Sequence, residues 1–218
     1  MGSVQLALAV FVVLWVFFYR RVSRGAQINN QGLMQLGEGR LSEALKNFET
    51  SSRLMRLNPM PRLNVGVALV YLWRLDEAEV ALRKAIGGFQ GGALRVVALP
   101  TLAFVAAMRG DLKALEQYGT DIAAMKLEGN ALWAVSLAIR AARQQNWSAL
   151  LQTLTLARTR PLGGPARAVA DALRAWATEQ TTGVRTSIDA VGVFGETGPQ
   201  ALERWWPEFA QFVASHAG

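Results

Sequence analysis

Residues 4–19, VQLALAVFVVLWVFFY, carry no charged side chain and are interrupted only by Gln5; Arg20, Arg21 and Arg24 follow directly. As a helix at 1.5 Å per residue, such a run measures about 24 Å, slightly short of a ~30 Å hydrocarbon layer. Gly2, Ser3 and snorkelling arginines make up the difference. The pattern predicts a single transmembrane helix. Trp15 and Tyr19 stand where an interfacial aromatic belt would, with Arg20, Arg21 and Arg24 at the headgroups. No Lys or Arg precedes the run and three Arg follow it, so the positive-inside rule puts the remaining chain in the cytoplasm, at the inner membrane. A cleaved secretory signal would show a basic start and a small-x-small cleavage site, and neither is written here. A buried core helix would show a polar face, and a myristoylation signal would need Ser or Thr where Leu6 stands.

Beyond residue 24 the apolar positions recur at helical spacing and then at a longer period. GLMQLGEGRLSEALKNFETS (residues 32–51) aligns without gaps on GVALVYLWRLDEAEVALRKA (residues 66–85). Gly32 falls on Gly66, Ala44 on Ala78 and Phe48 on Leu82, each pair 34 residues apart. A fixed period of that size marks stacked helical hairpins. Two antiparallel helices approach closely only where a small residue faces the partner, which accounts for Gly32, Gly66, Ala44 and Ala78. Phe48 and Leu82 fill the space against the next hairpin. One hairpin cannot bury its apolar face alone, so neighbours stack into a solenoid. Gly39 occupies the first turn, where a positive φ is expected. Trp73 takes that place in the second copy and implies a different turn.

On these residues the chain resembles the tetratricopeptide repeat family. The resemblance rests on the small residue of the first helix, the Gly-Arg-Leu-Ser-Glu-Ala and Arg-Leu-Asp-Glu-Ala turns, and the aromatic or Leu four residues after the Ala. Asn58-Pro59 resembles the family's closing proline, about three residues late, so the second helix of the first hairpin is expected to run nearly a turn longer. Two degenerate units follow at Arg109–Leu115 and Gln145–Leu150, with Leu115 and Leu150 replacing the small Ala and widening the packing. Ala157 and Pro161 restore the pattern. The resemblance implies a concave groove, lined by the first helix of each hairpin, that binds an extended peptide or a helix of a partner protein. Projected onto this chain, the lining is Asn29, Leu33 and Leu36, then Leu63, Val67, Val70 and Tyr71, with Phe104 and Met108 from the third unit. Family members that clamp a C-terminal carboxylate present Lys and Asn from the first hairpin; Asn29 and Leu33 stand there instead. The apolar lining favours an amphipathic helix or hydrophobic peptide, unless these residues are core or are covered by the chain's own tail.

Glycines 87, 88, 91 and 92 mark a flexible loop between the second and third units. The stretch 93–108 is apolar enough for a second crossing, but Arg95, Pro100 and its shortness favour the third unit's first helix, kinked or begun near Pro100. After Pro161 the repeat fades. Residues 165–180 keep a helical period with Val169, Leu173 and Trp176 on one face, and residues 183–194 form a shorter candidate helix. In GPQALERWWPEFAQFVAS, the rings of Trp205, Trp206, Phe209 and Phe212 join Leu202 on one side, and Pro207 bends the segment. A solenoid needs an element to close its last apolar face, and this tail is read as that cap; the alternative is an aromatic partner-binding helix. The expected fold is all-α: an anchor over 1–24, tetratricopeptide-like repeats over 25–162, and a degenerate repeat with a capping helix over 163–218.

Composition narrows the function. The 23 basic and 16 acidic residues give +7, of which the juxtamembrane arginines supply three charges. The remaining basic residues are scattered, without the dense stripe or module signature that nucleic-acid binding requires. With no cysteine, thiolate metal sites, disulfides and cysteine nucleophiles are excluded. The only histidine, His216, lies third from the end, where solvation is the expectation. That leaves neither a His-rich zinc site nor a Ser-His-Asp triad inside the fold. The glycines near residue 90 lack the Lys and hydroxyl of a phosphate loop, and Asp76, Glu77 and Glu79 read as helix-start electrostatics. No cofactor, metal or catalysis is expected. The reading is a membrane-tethered adaptor whose groove recruits or helps assemble a protein partner; the alternative is a structural subunit packed permanently in a larger membrane complex.

Overall fold

A computed structural model describes residues 2–87, 89–157, 162–189, 194–195 and 198–216. The regular structure among them is helical. Helix α1 (Gly2–Gly37) is followed by α2 (Leu41–Leu54), α3 (Met60–Tyr71) and α4 (Leu75–Ile86). A 3₁₀ turn (Phe89–Leu94) leads into α5 (Arg95–Arg109), α6 (Leu112–Ala124), α7 (Ala131–Arg143) and α8 (Trp147–Ala157). Then come α9 (Gly164–Thr182), α10 (Gly198–Trp205) and α11 (Pro207–Ser215). Consecutive helices pair as hairpins, α1 with α2, α3 with α4, α5 with α6 and α7 with α8, while α3, α5, α7 and α9 also touch in order.

The hairpins nest through the small residues that the 34-residue spacing singles out. A Cβ added at Gly32 would stand 2.6 Å from Phe48 Cε1, and one at Gly66 would stand 2.6 Å from Leu82 Cγ. Both distances are inside van der Waals contact, so each glycine lets one large side chain of its own hairpin lie on the facing backbone, which corrects the expectation that Phe48 and Leu82 serve only the contact with the next hairpin. Ala44, Phe48, Ala78 and Leu82 are completely buried. In the third and fourth units the corresponding small residues are Ala103 and Ala138, again without exposure. Leu115 is fully buried where Ala44 and Ala78 stand in the first units. Gly119 follows four residues later, in the place of Phe48 and Leu82, and a Cβ there would meet the Trp133 ring at 3.0 Å. The third unit therefore exchanges large and small positions, where the sequence suggested only a widened seam.

The four hairpin turns share one backbone conformation. Gly39 (φ 76°), Trp73 (φ 59°), Gly110 (φ 76°) and Gln145 (φ 56°) are all left-handed. At each, the turn residue donates to the carbonyl three residues back and its successor to the carbonyl five residues back, as in Gly39 to Leu36 and Arg40 to Gln35. These are the paired bonds of the Schellman termination, which satisfies the last carbonyls of a helix. Trp73 thus corrects the expectation of a different turn. It adopts the glycine conformation at a cost of about 1–2 kcal/mol. Its indole is buried against the C-terminal segment, with Nε1 donating to the Phe194 carbonyl at 3.1 Å and the two rings 5.7 Å apart.

Other expectations are adjusted. Helix α2 exceeds α4 by only two residues, 14 against 12, and Pro59 precedes α3 as its N-cap instead of closing α2. Of the glycine-rich link, Phe89–Leu94 form a 3₁₀ turn where an open loop was expected, and Gly88 lies outside the described residues. Residues Gly183–Ser187 are not helical: Gly183 ends α9 with φ 71°, and Ile188 then pairs its N–H with the His216 carbonyl at 2.8 Å. The 93–108 stretch is α5, whose residues Ala98–Met108 are all buried in the helical body, with Pro100 inside the helix. Pro161 lies outside the described residues.

Helix α1 is long and apolar enough, over Gln5–Gly37, to cross a membrane, and none of its most apolar window is buried by the rest of the chain. It continues without a break from the apolar run through residue 24 into the first hairpin.

Candidate partner cleft

The repeat brings the first helices of the hairpins side by side, so a cleft opens between α3, α5, α7 and the start of α9. Its volume is about 480 Å³. Val67, Val70 and Tyr71 come from α3, and Val96, Val97, Pro100, Thr101 and Phe104 from α5. Leu132 of α7 and Pro165 and Ala166 of α9 close the far side. Two polar side chains here are bonded within the chain. Asn130 Oδ1 caps α7 by accepting from Leu132 N (2.9 Å) and Trp133 N (3.3 Å), and the Thr101 hydroxyl donates to the Val97 carbonyl at 2.7 Å. What the cleft offers a ligand is mainly apolar surface and shape, with the Tyr71 side chain on its wall.

Of the sequence-derived lining, the structure places Val67, Val70, Tyr71 and Phe104 at this cleft, Val70 and Phe104 as its buried floor and Val67 and Tyr71 with accessible surface. Leu63 and Met108 are core side chains with almost no exposure, which corrects their assignment as contact residues. Asn29 is buried and accepts from Asn64 Nδ2 at 2.9 Å, a tie between α1 and α3. Leu36 packs against the core, whereas Leu33 is exposed on α1 apart from the cleft. Val96 and Val97 were missed. They are 45% and 50% exposed on a helix otherwise buried from Ala98 onward, and only the packing of α5 tells them apart from their neighbours.

The chain itself forms part of the wall. Gly164 has φ 51°, and a Cβ there would overlap the Tyr71 ring, so the entry into α9 lies against that ring. The aromatic tail goes elsewhere. It packs over the hairpin turns and α9: Leu202, Trp206, Phe209 and Phe212 are buried. Trp176 of α9 sits among Trp147, Trp206, Phe209 and Phe212, with centroid distances of 5.1–5.8 Å. Trp206 breaks the helix ahead of Pro207, giving two helices in the tail.

Arginines bind this tail to the turns. Arg143 donates from Nε to the Ala107 carbonyl (3.1 Å), and from Nη2 to the carbonyls of Met108 (2.6 Å) and Trp205 (2.9 Å). Its guanidinium lies 4.3 Å from the Trp206 ring centre, a cation–π contact. Burial pushes its pKa below the ordinary arginine value, against a smaller opposing pull from Glu208; arginine stays protonated regardless. Asp76 accepts from Arg204 at 3.0 Å and pairs with Arg109 at 3.4 Å, and Arg109 also reaches Glu79. Asp76 and Glu79 therefore link separate helices, beyond the helix-start role read from sequence. His216 is buried, which corrects its expected solvation: Nε2 lies 2.6 Å from Glu179 Oε2, and Nδ1 faces the Phe212 carbonyl and Ser215 hydroxyl at 2.9 and 2.8 Å. Tyr118 accepts from Arg83 at 3.0 Å, joining α6 to α4; burial raises its pKa and the arginine opposes the rise.

Among the described residues, no three His, Cys, Asp or Glu side chains converge as a metal site. Comparison with protein-family models, with curated proteins and with solved structures finds no match for this chain.

Proposed function

We propose that the chain is a membrane-tethered adaptor: α1 anchors it as a single-pass protein of the inner membrane, and a tetratricopeptide-like solenoid on the cytoplasmic side holds a protein partner. The observation that carries this reading is the apolar cleft on a body of nested hairpins whose first helix continues directly from an uncovered apolar run. The half-exposed Val96 and Val97 beside Val67 and Tyr71 suit the apolar face of an amphipathic helix or a hydrophobic peptide. Tethering confines that partner to the membrane surface and raises its effective concentration near other membrane components. Binding is the work proposed; no catalytic step is assigned.

The test uses full-length protein purified from solubilised membranes. Val97→Glu places a charge in the cleft at a half-exposed position, so helicity and thermal unfolding stay as in the parent. The expected result is loss of the co-purifying partner. An unchanged set of partners discards the cleft as the binding site. Retention of residues 1–24 in the mature chain, read by mass spectrometry, separates an anchor from a removed signal. Protease added outside intact cells should spare the hairpins.

A second reading is a subunit packed permanently in a larger membrane complex. Leu33 and Met34, 45% and 66% exposed on α1, favour it, because among the described residues nothing covers that side of the first hairpin. A monodisperse monomer in detergent would count against it.

A further inference from the structure

The reversal after α2 lies against α1 at the very point where its apolar run gives way to arginines. The pairing is antiparallel: a Cβ at Gly25 would meet Met55 Cγ at 2.5 Å, and Gly32 faces Phe48 further along. Arg21 fastens the junction, donating from Nε to the Leu54 carbonyl at 3.2 Å and from Nη2 to the Arg53 carbonyl at 3.0 Å. Beyond the end of α2 the chain reaches back along α1 towards Phe18. There a notch of about 620 Å³ opens, walled by Phe18, Val22, Leu54, Met55 and Leu57, with Arg56 at its rim. Phe18 belongs to the uncharged run, so one wall of the notch is by position the edge of the hydrocarbon. A further turn of helix covers about 5 Å, the scale of a headgroup layer. Leu57 is 79% exposed, an uncovered aliphatic side chain at that level.

The charged residues on the two segments that wall it, Phe18–Val22 and Leu54–Asn58, have one sign. Arg20, Arg24, Arg53 and Arg56 are exposed, and neither residues 1–37 nor residues 50–75 contain an Asp or Glu. An apolar knob ringed by arginines, beside a membrane-crossing helix, matches acyl chains beneath anionic headgroups. We propose that the turn Met55–Asn58 and its notch form a second membrane contact, occupied by anionic phospholipid of the leaflet on the Arg20 side. The inference rests on α1 crossing the bilayer. With two contacts instead of one, the hairpins meet the membrane in a set orientation.

Because the chain has no cysteine, single cysteines report positions without interference. Full-length Leu57→Cys, Val13→Cys and Val80→Cys proteins, labelled with an environment-sensitive fluorophore, are placed in phosphatidylcholine bilayers with and without phosphatidylglycerol. Spin-labelled lipid serves as quencher. Expected are deep quenching at position 13, shallow quenching at position 57 that grows with phosphatidylglycerol, and none at position 80. Neutralising Arg53→Gln and Arg56→Gln should reduce the phosphatidylglycerol-dependent part by roughly fivefold for each charge removed. Quenching at 13 with 57 as dark to lipid as 80 overturns the second contact and leaves the anchor standing. Quenching at 57 that ignores phosphatidylglycerol overturns the anionic-lipid assignment. No quenching at 13 removes the anchor, and the inference with it.

Discussion

The two hairpin seams near the N-terminus and the aromatic cap near the C-terminus hold helices together in opposite ways. At each seam one glycine meets one large side chain, Gly32 with Phe48 and Gly66 with Leu82. At the C-terminus, rings from α8, from α11 and from the α10–α11 junction converge on Trp176 of α9, which touches four others. A seam is a backbone fit: it fixes how near two helices come, and the same fit can be repeated. The cap is a pooled apolar cluster whose members have no fixed separation in the chain. Regular spacing here serves close approach, whereas the C-terminal segment is held by bulk.

That contrast can be broken most severely at the cap. Phe209 is fully buried and lies 5.6 Å from Trp176 and 4.8 Å from Trp206. Phe209→Ala should cost about 3–5 kcal/mol, read by denaturant unfolding of the solubilised chain. Proteolysis should then attack residues 183–216 before the first hairpins. If both regions open together, cap and seams form one cooperative unit and the division fails.

A smaller effect is expected at a seam. A Cβ at Gly66 strikes Leu82 Cγ and approaches the Leu82 backbone nitrogen to 3.2 Å. Gly66→Ala should destabilise by about 1–2 kcal/mol, the overpacking strain exceeding the ~1 kcal/mol gain in helix propensity. Leu82→Ala makes room for the methyl group, so the double variant should lose less than the sum of the single losses, by about 0.5–3 kcal/mol. Strict additivity would show that the two residues do not share a seam.

The turns give the finest comparison. Nothing lies within 4 Å of a Cβ at Gly39, so Gly39→Ala tests backbone conformation alone, at about 1–2 kcal/mol. Trp73→Gly relieves the same strain but gives up the Phe194 carbonyl and ring. It should therefore release the C-terminal segment to protease, whereas Gly39→Ala leaves that segment protected. Equal protease patterns would mean that Trp73 does not hold the tail.

The seam positions were legible because Gly32, Ala44 and Phe48 recur 34 residues later as Gly66, Ala78 and Leu82, although the spacing alone set Phe48 and Leu82 against the next hairpin and not on the glycine of their own; the uncovered part of α1 was legible because sixteen uncharged residues are followed by three arginines. The four-ring surround of Trp176 was not, since aromatic periodicity marks a buried face without naming what covers it. Nor was the left-handed turn at Trp73: nothing local favours that conformation for a tryptophan, and the contacts beside it come from residue 194. The cleft was half visible. Helical phase placed Val67, Val70, Tyr71 and Phe104 on the right helices, but the division between Leu63 in the core and Val97 at the surface depends on how α5 and α9 lean. Glu79 and Arg109, from different hairpins, pair only once those hairpins are stacked.

Helix α1 runs 36 residues without interruption, a rod of about 54 Å at the usual rise. Nothing along it acts as a swivel. With α1 spanning a bilayer as proposed, any tilt or axial rotation imposed on its apolar half is passed as torque to the hairpin built on its other half. The compass heading of the cleft over the membrane plane would then be set by the tether, and inserting residues near Arg24 should swing that heading by about 100° apiece.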